Sequence, residues 1–277
     1  MSETQPLGIL PREKLPSSTL VVAWSEDAGK LGPKVIDYLN RKLGGQESAE
    51  IAPEDFFPLD GVSIEDDVAQ FPASKFYWCR ENNLVVFKST PPRSEWYEFL
   101  NSVIDVAEGV CEVKELYTIG GMVSANAHTA PRLMFAVANS PEVKEVLGQY
   151  DVANDLDFET PPGQRPTLNS FLLWIAKRRD IPGANLWVPI PFYLVAVEDP
   201  CAWRKATGFL DTRFGLGIDF EELDDKVAKQ NQKIAKLRNQ LPEIDGYINR
   251  LESSLSLTGD ESEKLVEEVE ELLRERY

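Results

Sequence analysis

The sequence predicts an α/β fold, a largely parallel or mixed sheet covered on both faces and followed by a helical C-terminal extension. Three observations carry this. Short apolar, β-rich runs alternate with stretches of helical spacing as far as Asp219. Gly and other small residues follow two of those runs at once, where an open α/β sheet turns into its next element. Beyond Asp219 the strand signal stops and aromatics almost vanish.

In chain order, residues 1–18 form an N-terminal arm with Pro6, Pro11 and Pro16 and no periodic pattern, expected to lie over the surface or to be partly disordered. Alternation and β-branched content predict strands at Thr19–Trp24, Lys75–Arg80, Leu84–Lys88, Val113–Ile119, Leu133–Ala138 and Ala184–Val188. Helical spacing fills the intervals. Leu31, Val35, Leu39 and Leu43 recur every fourth residue. Trp96, Phe99, Leu100, Val103 and Ile104 share one face of Ser94–Glu108, and Leu168, Phe171, Leu172 and Ile175 one face of Leu168–Lys177. The Pro- and Gly-rich stretch from Glu159 to Pro166 ends one element before Thr167 caps the next helix. Residues 19–218 thus read as one α/β domain and 219–277 as an acidic helical extension.

In that extension Ile234, Leu237, Leu241, Ile244, Ile248, Leu251 and Leu255 alternate steps of three and four, which sets one apolar seam along a helix. Pro242 predicts a kink or a new helix with the proline in its first turn. A further helix is expected from Asp260 to Arg276, after a break at Thr258-Gly259. The seam has to be buried against another subunit, against the α/β body or within a helical hairpin. Ile234, Leu237, Leu241, Ile244, Ile248 and Leu251 are therefore the candidates for a subunit or partner contact.

A formal net charge of −17 argues against a nucleic-acid surface, which needs clustered Lys and Arg, and against an anionic membrane surface. No stretch approaches the roughly 18 apolar residues of a spanning helix, and the start lacks a basic then apolar leader. A cytoplasmic location is expected. Cys79, Cys111 and Cys201 are widely spaced and form no C-x-x-C pair, and Cys79 and Cys111 lie in or beside apolar runs, so inert core thiols are expected at those two. With His128 as the single histidine, a zinc site of several imidazoles is excluded, and no metal or other cofactor is expected.

Candidate chemistry gathers at the ends of the predicted strands. Gly29-x-x-Gly32 opens the first helix, whose unpaired N–H groups can hold a carboxylate or phosphate, although a tight turn and close packing are the favoured role of the glycines. Asp27 can cap this helix, bind a hydroxyl or act as an acid or base, capping being favoured. His128 can face a cleft, although a structural bond to a backbone carbonyl is the favoured role. Strand ends in such a sheet converge on one crevice, which places Gly120, Gly121 and His128 near Asp27 and Gly29. The carboxylates of Glu65-Asp66-Asp67 and of Glu221 to Asp225 lack the pattern of a calcium loop and read as solvated charge. Trp78, Trp96, Trp174, Trp187 and Trp203 read as core or subunit-contact residues.

The order of Asp27-Ala28-Gly29…Gly32, Glu54-Asp55-Phe56-Phe57, Ile119-Gly120-Gly121, His128-Thr129-Ala130-Pro131-Arg132, Val188-Pro189…Tyr193 and Asp199-Pro200…Ala202 resembles the proteasome assembly chaperone 2 family, from about Leu20 to about Asp219. Archaeal and eukaryotic members of that family help to assemble proteasome rings. Many bacterial members have no known function and are sometimes labelled ATP-grasp-like. The resemblance implies a three-layer α/β/α sandwich similar to phosphorylase and hydrolase-like folds, self-association or pairing with a paralogue, and no established catalytic reaction. Its proteasome-binding members end in a hydrophobic residue, Tyr and one further residue. This chain ends Glu275-Arg276-Tyr277, which departs from that docking motif.

The sequence thus supports a non-enzymatic, chaperone-like interaction or assembly factor that forms a homo-oligomer and binds another protein. The alternative is a protein that binds a nucleotide-like or carboxylate ligand, or a weak enzyme, using Asp27, Gly29, Gly32, Gly120, Gly121, His128, Thr129, Arg132 and Tyr193.

Overall fold

The computed structural model describes residues 18–52, 56–57, 62–65, 67–153 and 163–274. Most of the N-terminal arm, Glu54-Asp55, Asp66, the stretch from Glu159 to Pro162 and the terminal Glu275-Arg276-Tyr277 lie outside them. Strands β1 (Thr19–Trp24), β2 (Gln46–Glu50), β5 (Ser74–Cys79), β6 (Leu84–Ser89), β7 (Glu115–Ser124), β8 (Phe135–Ala138) and β9 (Gly183–Pro191) form one sheet in the order β2-β5-β6-β1-β7-β9-β8. The inner strands β6, β1, β7 and β9 run parallel, while β2, β5 and β8 join by antiparallel pairing, so the sheet is mixed. The short strands β3 (Ser63–Glu65) and β4 (Val68–Gln70) pair only with each other.

Side chains alternate across a strand, and in the central strands both sides are apolar. Val21 and Ala23 of β1, with Leu84 and Val86 of β6, pack into one core beneath α1 (Leu31–Leu43) and α5 (Pro200–Phe214). Leu20, Val22 and Trp24, with Val85 and Phe87, pack into a second core beneath α2 (Trp96–Gly109) and α4 (Leu168–Arg178). This is a three-layer α/β/α sandwich. The buried edge-to-face pair of Trp24 and Phe87, 6.2 Å between centroids, ties β1 to β6 on the second face.

Five elements depart from the sequence reading. Strand β2 was not expected, because it is an exposed edge strand in which only Ala49 is buried and the apolar alternation is missing. The β3–β4 hairpin is likewise built from residues that bury little. Helices α3 (Pro141–Leu147) and α5 begin at Ser140 and Asp199, whose side chains accept from Val143 N and Ala202 N, with Pro at the first helical position. Both starts are N-cap and proline signals that apolar periodicity does not register.

The C-terminal region forms α6 (Glu221–Gln240), α7 (Pro242–Glu252) and α8 (Gly259–Arg274). Leu241 is extended, at φ −121° and ψ 92°, and Pro242 starts a new helix. That break turns α7 back on the end of α6, where Arg238 bonds to Asp245 (2.6 Å), Asn249 (2.7 Å) and Glu252 (2.8 Å). Of the three ways of burying the seam that its spacing left open, packing within the chain itself accounts for most of it. Ile234, Leu237, Ile244, Ile248 and Leu251 are buried within their own chain and Leu241 is half-buried, all in the core shared with α1, α5, Leu265 and Val269. Of the seam only Leu255 stands out, 57% exposed.

Because α6–α8 share a core with the sandwich, the chain is expected to unfold as one unit. Ile244→Ala or Ile248→Ala, each removing a fully buried side chain, should lower stability by about 2–5 kcal/mol. Urea unfolding followed by tryptophan fluorescence and by circular dichroism should shift together. A separate early transition of helical signal would show an independent extension.

Candidate functional site

The carboxyl ends of β1, β7 and β9 meet where the chain leaves β1 for one side of the sheet and later reaches its other side, the place where open α/β sheets collect ligands. The β1–α1 connection passes through two left-handed residues, Gly29 (φ +62°) and Lys30 (φ +50°). It is clamped from the β9–α5 connection: Gly29 N donates to Val195 O (2.9 Å), and Asp199 N donates to Gly29 O (3.2 Å). A side chain at Gly29 would meet Ile190 and Asp199 at 3.1–3.3 Å, so both backbone angle and close approach require glycine there.

Asp27 sits inside this turn. The β1–β7 pairing runs only to Val22 and Thr118. Farther along β7, Gly121 N donates to the Asp27 carboxylate at 2.9 and 3.1 Å, and Gly32 N, in the first turn of α1, donates to it at 2.8 Å. The carboxylate therefore joins the start of α1 to β7 and fills the anion position of the helix N-terminus. Gly121 allows this approach, since Ala28 O lies 2.5 Å from where its Cβ would stand. Burial pushes the Asp27 carboxyl up to about 6, against the opposing pull of the Gly121, Gly32 and Ala28 N–H groups. Gly120 faces the other side of the sheet, against Trp187 and Asn169, and does not join this group.

His128 and Arg132 lie on the loop between β7 and β8. Tyr193, in the 3-10 turn Phe192–Leu194 after β9, is fully buried. Its hydroxyl accepts from His128 N (2.6 Å) and lies 2.9 Å from His128 Nδ1. With one lone-pair direction taken by that N–H, the phenol proton is free to go to Nδ1, leaving the ring proton on Nε2. Burial, with the charges of Arg132 and Arg238 nearby, lowers the His128 pKa to about 4, so the ring is neutral. The expected backbone carbonyl partner is thus replaced by a phenol. Burial raises the Tyr193 hydroxyl well above its ordinary value.

Arg132 is buried and paired. Nε and Nη2 reach Asp199 Oδ2 at 3.2 and 3.0 Å, and Nη1 donates to Ala130 O (3.0 Å) and His128 O (3.3 Å). Asp199, fully buried, also caps α5. Thr129 Oγ1 donates to Glu252 Oε1 of α7 (2.8 Å), which ties the loop to the helical extension. Asp199, Arg238 and Glu252 are the contributors that the site reading missed. The Asp199-Pro200 pair carried an N-cap signal, whereas nothing local marks Arg238 or Glu252.

Among the described residues no group of three or more His, Cys, Asp or Glu is placed to hold a metal ion, and no helix is long and apolar enough to cross a membrane. Cys79 and Cys111 are buried, which raises their thiols to about 11 and about 12. A groove of about 520 Å³ lies beside the cluster, lined by Arg132, Tyr150, Cys201, Lys205 and Phe209 among others. Its bases are paired: Lys205 meets Asp151 at 2.6 Å, and Arg132 meets Asp199.

A model of the PAC2 family matches residues 22–238. A Mycobacterium tuberculosis protein of unknown function, Rv2714, has a similar structure, with TM-score 0.74 at 18% identity over 92% of this chain and 90% of that one. The M. tuberculosis proteasome-assembly chaperone homologue Rv2125 aligns with TM-score 0.68 at 17% identity, over 83% and 99% of the two chains. Pyrococcus furiosus PbaB, an archaeal proteasome activator, aligns with TM-score 0.67 at 17% identity, over 83% and 98%. No curated protein matches the chain.

The Asp27 latch has a pH signature. Its carboxyl holds a proton to about 6 when folded against 3.8 for the ordinary group, so between those values the folded chain binds more protons and stability falls as pH rises. The unfolding free energy of the wild type minus that of Asp27→Asn should therefore drop by up to about 3 kcal/mol from pH 4 to pH 7. A difference that stays flat across this range would show that burial does not govern Asp27.

Proposed function

We propose that the chain, which belongs to the PAC2 family, works as a chaperone-like protein-binding factor that associates with itself and not as an enzyme. The observation that carries this reading is the occupancy of the strand-end crevice by the chain's own groups. The amides of Gly32 and Gly121, which could receive a phosphate or carboxylate, hold Asp27. The imidazole of His128 faces Tyr193 and is neutral, and Arg132 is neutralised by Asp199. A general base has to be free to reach its substrate, and an anion site needs open donors. Neither need is met at these residues.

Family membership supports the same direction. P. furiosus PbaA is an archaeal homolog of proteasome-assembly chaperone and PbaB an archaeal proteasome activator, so proteasome subunits are the first partners to test. Cutting the chain near Asp219 would strip Ile234, Ile244 and Ile248 from a shared core, so truncation does not separate the candidate functions.

The reading is tested by native mass spectrometry of the full chain with purified proteasome α subunits, alongside melting curves with ATP, AMP and acetate. A stoichiometric complex and melting unchanged by the small molecules are expected. A melting rise of several degrees with a nucleotide, without any protein complex, would move the function to a ligand site.

A further inference from the structure

Two of the exposed apolar surfaces among the described residues differ in charge. The first is the β3–β4 hairpin, where Ile64 is 76% and Phe71 69% exposed. A two-stranded hairpin is marginal in water unless something covers its apolar side. Its turn carries Asp67, exposed and left-handed at φ +62°. The second surface is the outer side of α2 and α4. Trp174 (43% exposed) stacks on Phe171 with 5.4 Å between centroids, and Tyr97 (49% exposed) lies 6.3 Å from Phe171. Arg178 lies over the Trp174 ring at 5.0 Å and Arg165 over Trp96 at 5.9 Å. Neither arginine has a carboxylate partner among the described residues.

On a chain of net charge −17, an aromatic face edged by arginines without acid partners is complementary to an acidic apolar hairpin. It is not complementary to itself, because two such faces would set arginine against arginine. We propose that the two surfaces are the halves of one head-to-tail contact between copies of this chain, the hairpin of one copy lying across α2 and α4 of the next. Ile64 and Phe71 go against Tyr97 and Trp174, and Asp67 meets Arg178. Such a contact joins different patches, so it closes into a ring or continues as a filament. The inference rests on the self-association proposed above and names the surface that performs it, in place of the buried C-terminal seam.

Sedimentation velocity on the full chain tests it, with one variant in each half: Ile64→Asp with Phe71→Asp, and Trp174→Ala with Arg178→Glu. All four side chains lie on the surface, so both variants should melt within a few degrees of the wild type. The wild type should be assembled at micromolar concentration. Each variant alone should lose self-affinity by roughly 100-fold or more and sediment as a monomer. An equimolar mixture should form a one-to-one dimer, because each variant retains the half that the other lacks. Variants that keep the wild-type mass, or a mixture that stays monomeric, would overturn the contact while leaving self-association intact. A wild type that is monomeric at 100 μM would overturn both.

Discussion

A buried guanidinium needs a fixed negative charge, and most of the strand-end architecture follows from how Arg132 obtains one. Removing one partner from a buried ion pair leaves an uncompensated charge at a cost of about 3–5 kcal/mol. Asp199 is placed so that this does not arise: it is fully buried, pairs with Arg132 and caps α5 with its other oxygen. The backbone N–H of Asp199 holds Gly29 O, which fixes the left-handed turn, and the turn aims Asp27 at Gly32 and Gly121. A loop from each of three strands is thereby locked by groups that would otherwise be the chemically available ones.

The helical extension completes the closure. Helix α8 packs on the turn that carries Tyr193, and Glu252 of α7 takes the Thr129 hydroxyl while pairing with Arg238. Seen this way, α6–α8 are a cover over the strand ends whose apolar seam is buried by the cover itself and by the body. The consequence for function is directional. With the groups at the strand ends paired from inside and α6–α8 packed beside them, the proposed recognition falls to outer surfaces such as the exposed aromatic and apolar side chains of α2, α4 and the β3–β4 hairpin.

Sequence patterns were informative where burial was two-sided or periodic. Strands β1 and β6 read clearly because every residue from Leu20 to Trp24 and from Leu84 to Phe87 enters one of the two cores. Helix α1 read clearly because Leu31, Val35 and Leu39 are all fully buried on one side. Strand β2 did not, since pairing with β5 and not burial makes it a strand. In α5 the core face includes Ala202, Ala206 and Thr207, small or polar residues that weaken the apolar pattern. The seam at Ile234 to Leu251 showed the opposite limit: spacing revealed an apolar stripe, but spacing is the same whether the stripe meets its own body or another chain. At the crevice, the sequence marked Asp27, Gly121, His128 and Arg132 as residues of interest. It carried no information that each would be matched by a partner far along the chain, 94 residues away for Asp27 and Gly121 and 67 for Arg132 and Asp199.

His128 offers the most direct measurement of whether the strand-end groups serve the scaffold. As the single histidine, it gives one pair of imidazole nitrogen resonances in a uniformly ¹⁵N-labelled sample. A phenol-capped, buried ring should show the neutral Nε2–H tautomer unchanged from pH 8 down to about pH 5, because its pKa is lowered to about 4. A ring that titrates near its ordinary value of about 6.5, or that carries its proton on Nδ1, would contradict the closed network and return His128 to the list of groups available for chemistry.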